Sequence, residues 1–239
     1  MPRSHRIRRP LSWGVHLFTA SGAVLGLFAI FAIAEDDLPL AALLMLAALV
    51  VDGLDGTLAR AVGVSVHVPE IDGRRLDDIV DFLNFVIVPV VFIWSAQGVT
   101  HPGWLACPVL ASAFGVSRCD ATTEDEFFLG FPSYWNILAL YLWLMEIGPT
   151  AGTAWIVGLS AAVFVPIKYL YPTKVQPMGL RVALGIGAVA WCLVLVVCAV
   201  WADRGAPDGL VEASLVYPAW YLWLSFWRGG LYRPRTPDG

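Results

Sequence analysis

Two short stretches of the chain carry carboxylates at helical spacing. In VVDGLDGTLAR, residues 50–60, Asp52 and Asp55 stand three apart and are followed by Gly56, Ala59 and Arg60. In GRRLDDIVDF, residues 73–82, Gly73 is followed by Asp77 and Asp81, four apart. On an α-helix a step of three residues turns about −60° and a step of four about +40°. Asp52, Asp55, Gly56 and Ala59 then share one face with Arg60 beside it, and Asp77 and Asp81 share another. Asp78 points about 100° away. Four carboxylates gathered together repel one another, and divalent cations relieve that repulsion. An all-oxygen donor set favours Mg2+, Mn2+ or Ca2+ over zinc. Two such ions form a clamp for a phosphate or pyrophosphate.

Two competing readings are weaker. LDGT looks like the start of a dehalogenase-type phosphatase turn, but that turn needs aspartates two apart at a strand end. The preceding run LPLAALLMLAALVV is rich in Ala and Leu and suits a helix. The aspartates could instead cap helices or pair with Arg60, Arg74 and Arg75. That explains one aspartate near an interface better than four in register.

The elements holding these residues stand in lipid. The 239-residue chain is 58% hydrophobic and 14% charged, with net charge −4 and mean hydropathy +0.71. A soluble domain carries about 25% charge. The apolar runs recur to the C-terminus, which a single leader peptide does not explain. With about 20 residues per bilayer crossing, spans are expected near 15–34, 38–60, 76–96, 103–118, 133–148, 152–170, 180–202 and 211–228. The expectation is an all-α polytopic membrane protein with eight transmembrane helices. It forms one unit over residues 1–239, with a flexible basic arm at 1–12 and a tail at 229–239. Of the 15 Lys and Arg residues only Arg204 falls on the far side of this arrangement, which places both termini in the cytoplasm. Carboxylates at membrane depth normally mark a site. Cys107, Cys119, Cys192 and Cys198 show no metal-binding or disulfide spacing and read as small apolar filler.

The pattern Asp52-x2-Asp55-Gly56-x2-Ala59-Arg60, then Gly73-x3-Asp77-x3-Asp81, resembles the signature of the CDP-alcohol phosphotransferases. One departure is that residues 61–72 form a loop of twelve, longer than the usual eight or so. WGVHLFTASGAVLG at 13–26, TEDEFFLGFPSYWN at 123–136 and FVPIKYLYP at 164–172 are similar to the bacterial phosphatidylcholine synthases, which also lengthen that loop. The resemblance spans about residues 13 to 230. It implies transfer of phosphatidyl from CDP-diacylglycerol to choline, with Mn2+ or Mg2+, two ions in all. Asp52, Asp55, Asp77 and Asp81 would hold the metals, and Asp81 would also be the general base. Gly56, Ala59, Arg60 and Gly73 would line the CDP site, with Thr19 and His16 as weaker candidates. A homodimer in the bacterial inner membrane, with its active site facing the cytoplasm and membrane lipids as neighbours, is also implied. No nucleic acid is expected as a partner.

The implied chemistry fits these residue types. A neutral hydroxyl needs a carboxylate within hydrogen-bond reach to take its proton. Gly and Ala leave room for a nucleotide lying on the helix. Arg60 can bind phosphate through two parallel hydrogen bonds. A quaternary ammonium offers no N–H and is recognised by aromatic faces. Phe85, Glu124, Asp125, Tyr134 and Trp135 are the candidates, against the plain alternative of an interfacial aromatic belt. Arg118 and Lys168 could hold a lipid phosphate, or simply snorkel to the interface. Asn84 and Asn136 lie near span ends and could join the polar network. The rivals are the same chemistry on inositol, serine or a glycerol phosphate, a cation or metal transporter, and an inert scaffold. A transporter would spread its carboxylates through the membrane depth.

Overall fold

The computed structural model describes residues 3–118, 122–123, 125–205 and 209–232. α1 runs over Arg3–Ala34 and α2 over Leu38–Val62. The turn between them closes where Asp37 caps α2, accepting from the Leu40 amide at 2.9 Å. The two helices form the most extensive contact between described elements. α1 starts well ahead of residue 15, so the described part of the basic arm is helical. Arg9 Nη2 meets Glu70 Oε1 at 2.6 Å, tying that extension to the loop after α2.

The lengthened loop is not slack. α2 ends at Gly63, whose φ of 75° only glycine adopts cheaply, and whose amide returns to the Ala59 carbonyl. A short helix follows, α3 (Val64–His67), which packs on α1 with Val64 and Val68 buried. Asp72 then caps α4 (Gly73–Phe82), accepting from the Arg74 and Arg75 amides.

α4 continues through a π-helical turn, Leu83–Ile87, into α5 (Val88–Ser95), one helical run matching the expected span at 76–96. Pro89 explains the turn. Its ring would crowd the carbonyl four residues back, so the ladder widens and the Val88 amide reaches Leu83 O instead.

α6 (Ala106–Ser117), α7 (Trp135–Leu144), α8 (Pro149–Ala162), α9 (Met178–Trp201), α10 (Leu210–Ser214) and α11 (Val216–Gly229) complete the helices. Among the described residues three helical stretches, Arg8–Ala34, Leu38–Val62 and Met178–Arg204, are long and apolar enough to cross a membrane. α7, with 10 residues, is only about 15 Å long at 1.5 Å per residue, half a hydrocarbon core.

Two expectations are corrected. The chain is mostly helical but not all-α: β1 (Phe127–Leu129) pairs antiparallel with β2 (Lys168–Leu170), Phe128 opposite Tyr169. The span expected at 152–170 stops being helical at Ala162. Pro166 disfavours helix at its own position and the one before it, and Val163, Val165 and Ile167 are β-branched.

The main core joins α1, α2, α5, α7, α8 and α9 around Ala42, Leu46, Phe92, Leu140, Ile156 and Leu195. A second cluster, with Leu170, Leu184, Tyr221 and Leu224, seats β2 between α9 and α11. Buried polar groups in the first are paired: Tyr141 Oη lies 2.8 Å from Ser214 Oγ and accepts from Trp191 Nε1 at 2.9 Å.

Candidate functional site

The C-terminal half of α2 and the first turns of α4 bring the acidic residues together. Carboxylate oxygens of Asp52, Asp55 and Asp77 all lie within 4.8 Å of one another. Asp55 is 6% exposed, while Asp52, Asp77 and Asp81 are half-buried. Asp81 lies against Asp52, completing a group of four. Asp78 is exposed. The capping alternative fails here, because Asp72 caps α4 and pairs with Arg75 at 3.4 Å. Among the described residues no ion pair joins the four aspartates to Arg60, Arg74 or Arg75.

Arg60 folds back along α2, Nη2 donating to Thr57 Oγ1 at 3.2 Å. A Cβ on Gly56 would stand 3.3 Å from Arg60 Nη1, so this glycine leaves the guanidinium its place. Ala59 lies half-buried on the same helix. A Cβ on Gly73 would stand 3.2 Å from His16 Cε1. α1 thus brings His16 beside Gly73, and His16 and Thr19 on this helix are each 7% exposed. His16 Nε2 has no hydrogen-bond partner.

One turn further on, Asn84 in the π-helical turn is 4% exposed and donates from Nδ2 to the Gly22 carbonyl at 3.0 Å. A Cβ on Gly26 would come 2.5 Å from Asn84 Oδ1, and one on Gly22 would come 2.8 Å from Val80 Cγ1. Gly22 and Gly26 are therefore what lets α1 approach α4. The signal in the sequence is GAVLG at 22–26, since small residues four apart in an apolar helix mark close packing.

The acceptor-side candidates separate. Phe85 is half-buried in the π-helical turn, on the run that carries Asp77 and Asp81. Tyr134 precedes α7, with its hydroxyl 3.4 Å from that of Tyr221, and lies within electrostatic range of Asp52. Trp135 is fully buried and donates from Nε1 to Ser112 Oγ at 2.7 Å, a packing position. Asn136 is also buried, and its Oδ1 has no partner. Asp125 and Lys168 meet at 2.6 Å. The Lys168 ammonium also sits over the Phe127 and Tyr232 rings at 5.4 and 5.5 Å. The lysine beside Asp125, then Thr123, hold its carboxyl below the usual carboxylate range. Arg118 ends α6 half-buried. Glu124 lies outside the described residues, as do Cys119, Arg233 and Arg235. Tyr171, not singled out from sequence, lies within electrostatic range of Asp77, Asp52, Arg60 and Asp81. Its only sequence signal was its place in FVPIKYLYP.

Residues 16–202 match the family model described as CDP-alcohol phosphatidyltransferase. The chain belongs to this family. It is 34% identical over 214 residues to the phosphatidylcholine synthase of Legionella bozemanae, covering 86% of this chain and 98% of that one. It is 35% identical over 190 residues to that of Borreliella burgdorferi, with 78% and 80% covered. It is 38% identical over 183 residues to that of Pseudomonas aeruginosa, with 74% and 76% covered.

For a CDP-alcohol phosphatidyltransferase the donor set fits a divalent metal. Three carboxylates converge within 4.8 Å, a fourth lies against Asp52, and among the described residues no thiol or imidazole joins this group.

Proposed function

We propose that this protein transfers the phosphatidyl group of CDP-diacylglycerol to choline, releasing phosphatidylcholine and CMP. The observation that carries the reading is the convergence of Asp52, Asp55 and Asp77 from two helices, with Asp81 against them. The choline assignment draws on the relatives, which are named phosphatidylcholine synthases.

In this reading Asp52, Asp55, Asp77 and Asp81 hold two divalent ions, Mn2+ or Mg2+. When bound, such ions neutralise the pyrophosphate and the charge left on departing CMP. The protein's own groups do the rest. Gly56, Ala59 and Gly73 leave the nucleotide room, and Thr19 and His16 close over it from α1. Arg60 binds phosphate through its planar fork. Asp81 accepts the choline hydroxyl proton as the new oxygen–phosphorus bond forms and the bond to the CMP oxygen breaks. Phe85 and Tyr134 are retained as acceptor-side aromatics. The Asp125–Lys168 pair leaves neither partner as a first choice for choline or lipid phosphate. The chain works as one catalytic unit over 1–239, a homodimer in the bacterial inner membrane. Eight spans put both termini, the 1–12 arm and the 229–239 tail in the cytoplasm, where CMP and choline exchange. Shorter helices such as α7 and α8 then reach only part-way and complete their crossings with flanking apolar residues.

The testing experiment is choline incorporation by purified protein in micelles holding CDP-diacylglycerol and Mn2+. Serine, inositol and glycerol 3-phosphate run in parallel. Choline-dependent CMP release supports the reading. CMP release with another alcohol alone keeps the chemistry and removes choline. No CMP with any acceptor returns the transporter alternative.

A further inference from the structure

Tyr171, within electrostatic range of the carboxylates, already carries a cation. It follows β2, and its hydrophobic face is covered by Phe128 of β1, stacked at 4.4 Å with the planes 25° apart. Two rings that close leave no room between them, so a cation must take the opposite face. The Lys174 ammonium sits over the ring at 4.6 Å. A backbone turn returns Lys174 to the ring: the Lys174 and Val175 amides both donate to the Tyr171 carbonyl, at 2.9 and 3.2 Å. Glu126 Oε1 lies 3.8 Å from the same ammonium. The ring therefore combines a π-face with an adjacent carboxylate, the chemistry that recognises a cation unable to donate hydrogen bonds.

The position suits the acceptor. Tyr221 Oη donates to the carbonyl of Leu170, the residue before Tyr171, at 2.9 Å, and also contacts Tyr134. That links Tyr171 to Tyr134, which lies within electrostatic range of Asp52. The other aromatic box, Phe127 and Tyr232 around Lys168, is closed: the lysine side chain is 16% exposed and bound to Asp125 at 2.6 Å. Lys174, at 36%, is held by a longer contact and is the displaceable one.

We infer that the open face of Tyr171 seats the quaternary ammonium of the acceptor, and that Lys174 fills it as a resident cation which the acceptor displaces. This rests on choline being the acceptor. Tyr171 then determines specificity for a trimethylated amine, and Lys174 sets how readily it enters.

The test uses the full chain in CDP-diacylglycerol micelles with Mn2+, comparing wild type, Y171L, Y171F and K174M. Tetramethylammonium, which has the charge but no hydroxyl, is the probe of the seat. Y171L should raise the choline KM about tenfold, as loss of a cation–π contact would. It should leave the CDP-diacylglycerol KM in place and abolish competitive inhibition by tetramethylammonium. Y171F keeps the ring and should stay near wild type. K174M should lower the choline KM. An unchanged choline KM in Y171L overturns the seat, and a choline KM that does not fall in K174M overturns the resident cation. If Y171L does not fold, K174M and tetramethylammonium competition against choline in wild type decide the matter by the same signs. A wild-type protein that ignores choline overturns the underlying reading instead, and is told apart at once because no choline KM exists to compare.

Discussion

Asn84 and Gly22 join α1 to the helix of the general-base candidate through one buried hydrogen bond of 3.0 Å. Asn84 lies one turn beyond Asp81, so this bond fixes the rotation of the run that presents Asp81 to Asp52. A buried carbonyl that loses its donor costs about 1–3 kcal/mol. Asn84→Leu should therefore lower the melting temperature. It should also lower kcat more than either KM, because the donor and acceptor pockets are left intact. Gly26→Ala should repeat that pattern, since the added carbon would come 2.5 Å from Asn84 Oδ1. Steady-state kinetics in both substrates with a melting curve check this. A fall in stability with kcat unchanged would make the contact structural only.

Two aspartates of α4, Asp81 and Asp78, should behave oppositely. Asp81 lies against Asp52, whereas Asp78 is exposed. Asp81→Asn removes the proton acceptor and should lower kcat by about 10²–10⁴. Asp78→Asn should leave kcat near wild type. CMP release measured for both, at equal protein and Mn2+, is the check. Similar losses in both would move the site off this helical face.

Arg60 and Gly56 form a second coupled pair, since the guanidinium lies 3.3 Å from where a Gly56 side chain would begin. Arg60→Lys keeps the charge but loses the planar fork. It should raise the CDP-diacylglycerol KM about tenfold, the scale of one lost charge-assisted bond. Gly56→Val should raise it as well, by displacing Arg60. The double variant should fall well short of the product of the two, because both act through the same guanidinium. A fully multiplicative result would show that Gly56 serves the nucleotide independently of Arg60.

The carboxylate cluster was legible in sequence because helical spacing alone puts Asp52 and Asp55, and Asp77 and Asp81, on common faces. Gly56, Gly73 and Arg60 came with it. The partners across space were not legible. Spacing along α1 cannot say that Gly22 and Gly26 meet Asn84, or that the twelve-residue loop folds into α3 and is tied to Arg9 through Glu70. The Lys168–Asp125 pair hid for the same reason. Each residue reads alone as a ligand for substrate, and only the β1–β2 pairing shows that they neutralise each other. The end of α8 at Ala162 was overrun because apolar composition continues to Val165. Composition does not distinguish a helix from an extended segment ending at a proline.

That ion pair has a pH signature. The Asp125 carboxyl sits below its usual range because Lys168, then Thr123, hydrogen-bonds its ionised form. A carboxylate depressed in the folded state adds stability at pH values above its unfolded pKa of about 3.9, and that stability is lost as the pH falls below it. Asp125 is largely exposed, so the increment is that of a surface pair, about 0–1 kcal/mol. At pH 7 Asp125→Asn should melt about 1–3 °C below wild type in detergent, given the usual shift for a chain of this size. The two melting temperatures should converge as the pH is taken from 5 down to 3. A gap that persists unchanged at pH 3 would mean that Asp125 stabilises β1 by packing rather than by its charge on Lys168.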